Sequence, residues 1–219
     1  MSAFVINPYS FVSDNITAFS FLQGTSSTAN ASTYTFTSVN FGTADTNRRI
    51  VVGVAMRRGN ITNITSATIG GVSATILAQS SSVGDSVGYI TASVPTGTDG
   101  TVEIVLSATA VRFAIATYRV VSNSPLTLAD SDANSTSAST STTLSIDAQN
   151  GIVLAAATAS SGSVVLSFSG IATTDSNVGL EGFSNFAFAS ERTTATATQT
   201  VTANRSTSTN TVAIGVCLT

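Results

Sequence analysis

The chain has 219 residues, a formal net charge of −3, eight Arg, no Lys and no His. Charged residues are 9% of it, while Ser and Thr make up about a third; roughly a quarter charged is usual. This balance lacks the basic footprint of a nucleic-acid binder. The absence of His removes the general base of ordinary Ser and Cys hydrolases and the commonest zinc ligand.

An apolar share of 42%, rich in Val, Ile and Phe, argues against disorder, because disordered chains are poor in these types. Thr and Val fit a pleated, half-buried surface, so the composition predicts strands with almost no helix. No apolar run reaches the roughly 18 residues of a membrane span. No basic residue precedes the first apolar positions and Arg48 is the first cation, so a secretory signal is not expected. Synthesis in the cytoplasm follows as the default.

In chain order, residues 1–15 mix apolar and turn residues and read as an N-terminal arm or an edge strand. Alternation of period two marks residues 33–37, and the apolar run 50–56 follows. Gly70-Gly71 signals a reversal. Residues 89–94 and 101–106 form a hairpin around Pro95-Thr96-Gly97-Thr98-Asp99-Gly100, and 113–121 is a further strand. The Ser/Thr-rich stretch 130–143 reads as an exposed crossover loop in preference to a flexible linker. Beyond it lie strand-like segments at 142–146, 152–157, 164–168, 186–190, 199–203 and 212–218, with Asn150-Gly151 as a turn. Cys217, in the last of these, reads as a buried core thiol. Twelve to fourteen short strands at this spacing predict an all-β fold, a jelly-roll-like β-sandwich.

A weak internal repeat emerges at an offset of about 100 residues. Segments 33–37, 50–56, 89–94, 101–106 and 113–121 pair in order with 142–146, 152–157, 186–190, 199–203 and 212–218. The repeat predicts pseudo-duplicated halves, about 30–122 and 140–219, closing over one core within a single sandwich spanning 16–219.

No catalytic constellation is visible, so no enzyme activity and no cofactor are expected. Glu103, Glu181, Glu191 and several Asp read as loop charge rather than a glycosidase pair. Asp130-Ser131-Asp132-Ala133-Asn134 opens like a calcium loop, but Ser135 and Ser141 stand where Gly and Glu belong, so no metal is expected. Six Asn-x-Ser/Thr sequons occur, at Asn15, Asn30, Asn60, Asn63, Asn134 and Asn204; so many Asn, Ser and Thr produce about that number by chance. Arg48-Arg49 and Arg57-Arg58 bracket the run 50–56. They read as solvated strand ends that deter edge pairing, or as an intersubunit contact through the planar Arg fork.

Three elements in order carry a resemblance: Arg49-Ile50-Val51-Val52-Gly53-Val54-Ala55-Met56-Arg57, then Ser66-Ala67-Thr68-Ile69-Gly70-Gly71-Val72-Ser73-Ala74-Thr75, then Val94-Pro95-Thr96-Gly97-Thr98. The last leads into Ala114-Ile115-Ala116-Thr117-Tyr118. Together they resemble β-sandwich proteins from the structural gene clusters of tailed bacteriophages, over residues 48–121, with the second half alike only in pattern. The family's Trp is absent here. The resemblance implies a virion structural protein, a capsid decoration or head-attached protein that packs on other virion proteins. It would form a homo-oligomer, for which a trimer is the guess, with no nucleic-acid or membrane partner. The second reading is a receptor-binding or glycan-binding module of a tail or fibre. Of the four Tyr, three fall in strand-like segments, which favours assembly over sugar stacking.

Overall fold

The period-two runs become strands throughout the computed structural model, which describes residues 15–57, 61–82, 84–161, 164–180, 182 and 184–219. Among the described residues every regular element is a strand: β1 (Ile16–Ser27), β2 (Ala31–Asn40), β3 (Arg48–Arg57), β4 (Ile64–Ile69), β5 (Val72–Ser73), β6 (Thr75–Ser82), β7 (Asp85–Ser93), β8 (Asp99–Ala110), β9 (Arg112–Ser122), β10 (Leu128–Asp147), β11 (Ile152–Ala159), β12 (Leu166–Ser169), β13 (Thr173–Leu180), β14 (Ser184–Arg192) and β15 (Thr198–Leu218). The fold is therefore an all-β sandwich of antiparallel sheets. The arm or edge strand read at 1–15 lies outside the described residues except for Asn15.

Two inner sheets have one strand order. The first runs β1-β9-β3-β7-β6 and the second β10-β15-β11-β14-β13. Each half also contains one long antiparallel ladder that bends. In the first, β1 and β2 pair with β9 and β8, from Ile16↔Ser122 to Asn40↔Asp99. In the second, β10 pairs with β15 from Leu128↔Leu218 to Asp147↔Thr198, with register shifts between Thr136 and Ser141. The far segment of each ladder builds an outer layer: β2-β8-β4-β5 in one half, and the end of β10, the start of β15, and β12 in the other. The five segment pairings read from the sequence fall on equivalent strands of the two halves, but the ladders start earlier, at Ile16 and Leu128.

Residues 130–143 are a correction. They form most of β10 rather than a loop. Their Ser and Thr hid the strand because it lies at a sheet edge, where small polar side chains satisfy a surface that is exposed or half-buried.

Three cores follow from the layers. Tyr34, Phe36, Val52, Ile69 and Ile104 fill the space between the first inner sheet and its outer layer. Leu144, Ile146, Ala155, Val201 and Cys217 do so in the second half. The third core joins the halves, with Val51, Tyr89, Ala116 and Tyr118 meeting Leu154, Phe186, Phe188 and Ile214. Contacts across it come in exchanged pairs: β3 meets β14 where β7 meets β11, and β1 meets β13 where β6 meets β10. β3 and β11 meet each other. This is the pattern of an isologous interface, formed here within one chain. Gly53 sits at its centre because a Cβ there would lie 2.9 Å from the Phe188 ring and 3.0 Å from the Tyr89 ring.

Candidate interaction surfaces

Four arginines were the sequence candidates for an interface, and the structure separates them. Arg48 has no exposed surface. Its Nε donates to Val94 O at 2.6 Å, Nη1 to Phe41 O and Gly42 O, and Nη2 to Thr96 O and Gly97 O at 2.7 and 2.8 Å. Its shield is this carbonyl cage under two surface loops, not depth in the core. Burial and the nearby Arg119 draw its pKa down, against Asp45. Arg48 is therefore a loop anchor and not part of an exposed intersubunit contact. The local signal was a charged residue opening an apolar strand, and that signal does not reveal which way the fork turns.

Arg49 is half-buried and lines a cleft of about 240 Å³ with Thr46, Asn47, Ser93 and Ser122. Arg57 is half-buried at the other end of β3, opposite Asp85 in the ladder. Eight residues of strand separate the two by about 26 Å, so they do not form one patch. Arg58 lies outside the described residues.

The seam between the halves holds two carboxyls that the sequence reading passed over as loop charge. Asp85 of β7 is fully buried, and accepts hydrogen bonds across the seam from Thr158 Oγ1, at 3.3 Å, and from Ser160 Oγ. Burial pushes its pKa up to about 6, against the pull of Ser160, Arg57 and Thr158. Its position was readable, because it shares the inward parity of Val87 and Tyr89. Asp175 was not. β6 bulges between Ile76 and Ala78 and β13 between Thr174 and Ser176, so Leu77 and Asp175 are the extra residues of matching bulges, which scramble parity. Asp175 accepts from Tyr118 Oη at 3.0 Å, and burial raises its pKa. Tyr34, Tyr89 and Tyr118 are all buried, so none offers a ring face to a ligand. Cys217 is buried as well, with its thiol pKa raised by burial.

The calcium-like run has a different use. Asp130 Oδ2 accepts the backbone N–H of Asp147 and Asp132 Oδ2 that of Ser145, both at 2.7 Å, while Asn134 Nδ2 donates to Thr143 O at 3.1 Å. The early part of β10 thereby caps, with alternate side chains, the outer edge of its own later part. A carboxylate or amide accepting and donating in this way takes the place of a missing neighbour strand. The same device recurs: Gln79 of β6 accepts from Ile64 N at 2.8 Å and donates to Ile64 O at 3.4 Å. Asn177 of β13 donates to Leu166 O, and Gln23 of β1 accepts from Asn40 N at 3.1 Å. Lys is the usual guard of such edges, and this chain has none. Replacing both Asp130 and Asp132 with Ala is expected to leave the melting temperature within a few degrees of wild type, yet add self-association in sedimentation velocity. Unchanged association would remove the edge-capping role.

The loops at the start of β3 and β11 border shallow polar clefts, of which that of Asp147, Gln149, Asn150 and Thr196 encloses about 580 Å³. Among the described residues no three His, Cys, Asp or Glu side chains converge as for a metal ion, and no helix is long and apolar enough to cross a membrane.

No family model and no curated protein matches the chain. Several solved structures overlap it, two of which serve as examples. One is a conserved protein of unknown function from Pseudomonas aeruginosa PAO1, 10% identical over 85% of this chain and 79% of that one, with a TM-score of 0.28. The other is the PBSX exported protein XepA, 11% identical over 93% of this chain and 87% of that one, with a TM-score of 0.25. Likenesses this loose carry no function from one chain to another.

Proposed function

We propose that this chain is a non-enzymatic structural protein of a tailed-phage virion, made in the host cytoplasm and incorporated as a capsid decoration or head-attached subunit that packs on its neighbours. The observation that carries the reading is the run of motifs between residues 48 and 121. These occupy β3, the β4–β5 turn, the loop anchored by Arg48, and β9, which together frame one sandwich. Physical character supports it. Both outer layers expose short hydroxyl side chains, such as Thr35, Thr143, Ser145 and Thr200, and such side chains lose little rotamer entropy on packing against a neighbour compared with Lys or Glu. The alternative, a glycan-binding tail module, draws no support from the buried tyrosines.

Quantitative mass spectrometry of purified particles tests this. Copy numbers in the hundreds are expected for head decoration, whereas a few to a few dozen would move the protein to the tail. Absence from the particle would refute the proposal.

A further inference from the structure

Each outer layer has two edges, and three of these four are closed by the chain itself. β10 is capped at Thr143, Ser145 and Asp147. β4 is covered by β5 and by Gln79, and the short β12 is met by Asn177 at Leu166. The fourth edge is β2, where the caps reach only Asn40, through Gln23.

The ladder fixes which groups β2 leaves outward. Thr101 O accepts from Gly70 N on the β4 side, so the odd residues of β8 face β4 and the even ones face β2. The bonded pairs of β2 with β8 are then Tyr34↔Ile104 and Phe36↔Val102. The N–H and C=O of Thr33 and Thr35 point away from the sheet, and no other described residue meets them. Their side chains are exposed, and no charged residue lies between Ala31 and Asn40. The bulge between Phe36 and Val39, with Ser38 at φ 55°, ends the flat portion.

We infer that β2 is a docking edge whose occupant is β2 of a second copy, paired antiparallel about a two-fold axis at Tyr34. That register sets Thr33 opposite the partner's Thr35 and repeats the match on the other side of the axis. Two bonded pairs supply four backbone hydrogen bonds, Thr meets Thr across the strands, and no like charges oppose. An isologous edge contact closes as a dimer, so a threefold assembly would need a second, different contact. The pairing does not depend on where in a particle the protein sits.

Sedimentation equilibrium of the full chain at tens of micromolar is expected to give twice the 22.1 kDa chain mass. Thr35→Lys and, separately, Thr33→Lys should weaken the dimer at least tenfold, because Lys on an edge opposes pairing. Ser145→Lys, on the capped edge of β10, should leave it unchanged. Circular dichroism melts serve as the check that each variant is folded. A monomeric wild type, or a dimer that tolerates both Thr→Lys changes, would overturn the inference. So would a dimer lost on deleting residues 1–14, which would assign the contact to that segment.

Discussion

Arg48→Ala is expected to cost about 3–4 kcal/mol of folding stability, since five carbonyls lose a charged donor and a void opens beneath the loops. The five bonds to Phe41, Gly42, Val94, Thr96 and Gly97 tie two loops to the start of β3, and the orphaned carbonyls have few other partners. Water entering the space offsets part of the loss, which keeps the figure below a sum over bonds. Arg48→Lys should recover less than half, because an ammonium has three donors and no planar fork. The urea midpoint should fall with the slope unchanged. A cost below about 1 kcal/mol would show that the loops hold their shape without the cage.

Stability should also depend on pH through Asp85. Its carboxyl titrates near 6 in the folded chain, above the ordinary 3.8. Folding therefore favours the protonated form. The associated stability is complete below about pH 4 and is lost as pH rises through about 6, a decline of about 3 kcal/mol by pH 7. Asp175, also raised by burial, adds to the decline in the same direction. Asp85→Asn keeps a polar partner for Thr158 and Ser160 without a buried charge, so it should raise stability at pH 7 and flatten Asp85's share of the slope. Arg57 faces the same carboxyl, and losing its counter-charge moderates the gain. Urea midpoints for both proteins between pH 4 and 8 provide the comparison. A variant that is less stable at pH 7, or that keeps the full slope, would show that Asp85 is held ionised by its partners.

How much of this was legible in the sequence depended on whether neighbours in the chain carried the signal. Short apolar runs located β3, β7, β9, β11, β14 and the end of β15, which are apolar throughout because both of their faces are buried. Alternation of period two located β2, β8 and the start of β15, whose outer faces are exposed or half-buried. The repeat was visible because strands in equivalent positions of the two inner sheets are buried on both faces and so recur as apolar runs of similar length. The early part of β10 was missed, although its end at 142–146 was legible, because an edge strand clothed in Ser and Thr shows too little contrast between its faces.

The sequence by itself determined the β class, the apolar cores, and the scarcity of charge that leaves edges to be guarded without Lys. The loop 95–100, expected to close a hairpin, instead carries the chain from β7 in the inner sheet to β8 in the outer layer, two strands that do not pair. Only the tertiary structure decided where the polar groups act. Arg48 turns into a carbonyl cage, Asp85 and Asp175 meet hydroxyls of the opposite half, and Asp130, Asp132 and Asn134 close an edge that lies nine to seventeen residues onward. Each is a hydrogen bond between segments, loops included, that come together only when the apolar faces of the sheets are buried. The hydrophobic pattern is local and can be read along the chain. The partner of a polar side chain is set by how the layers stack and bend, and that geometry exists only after the cores have formed.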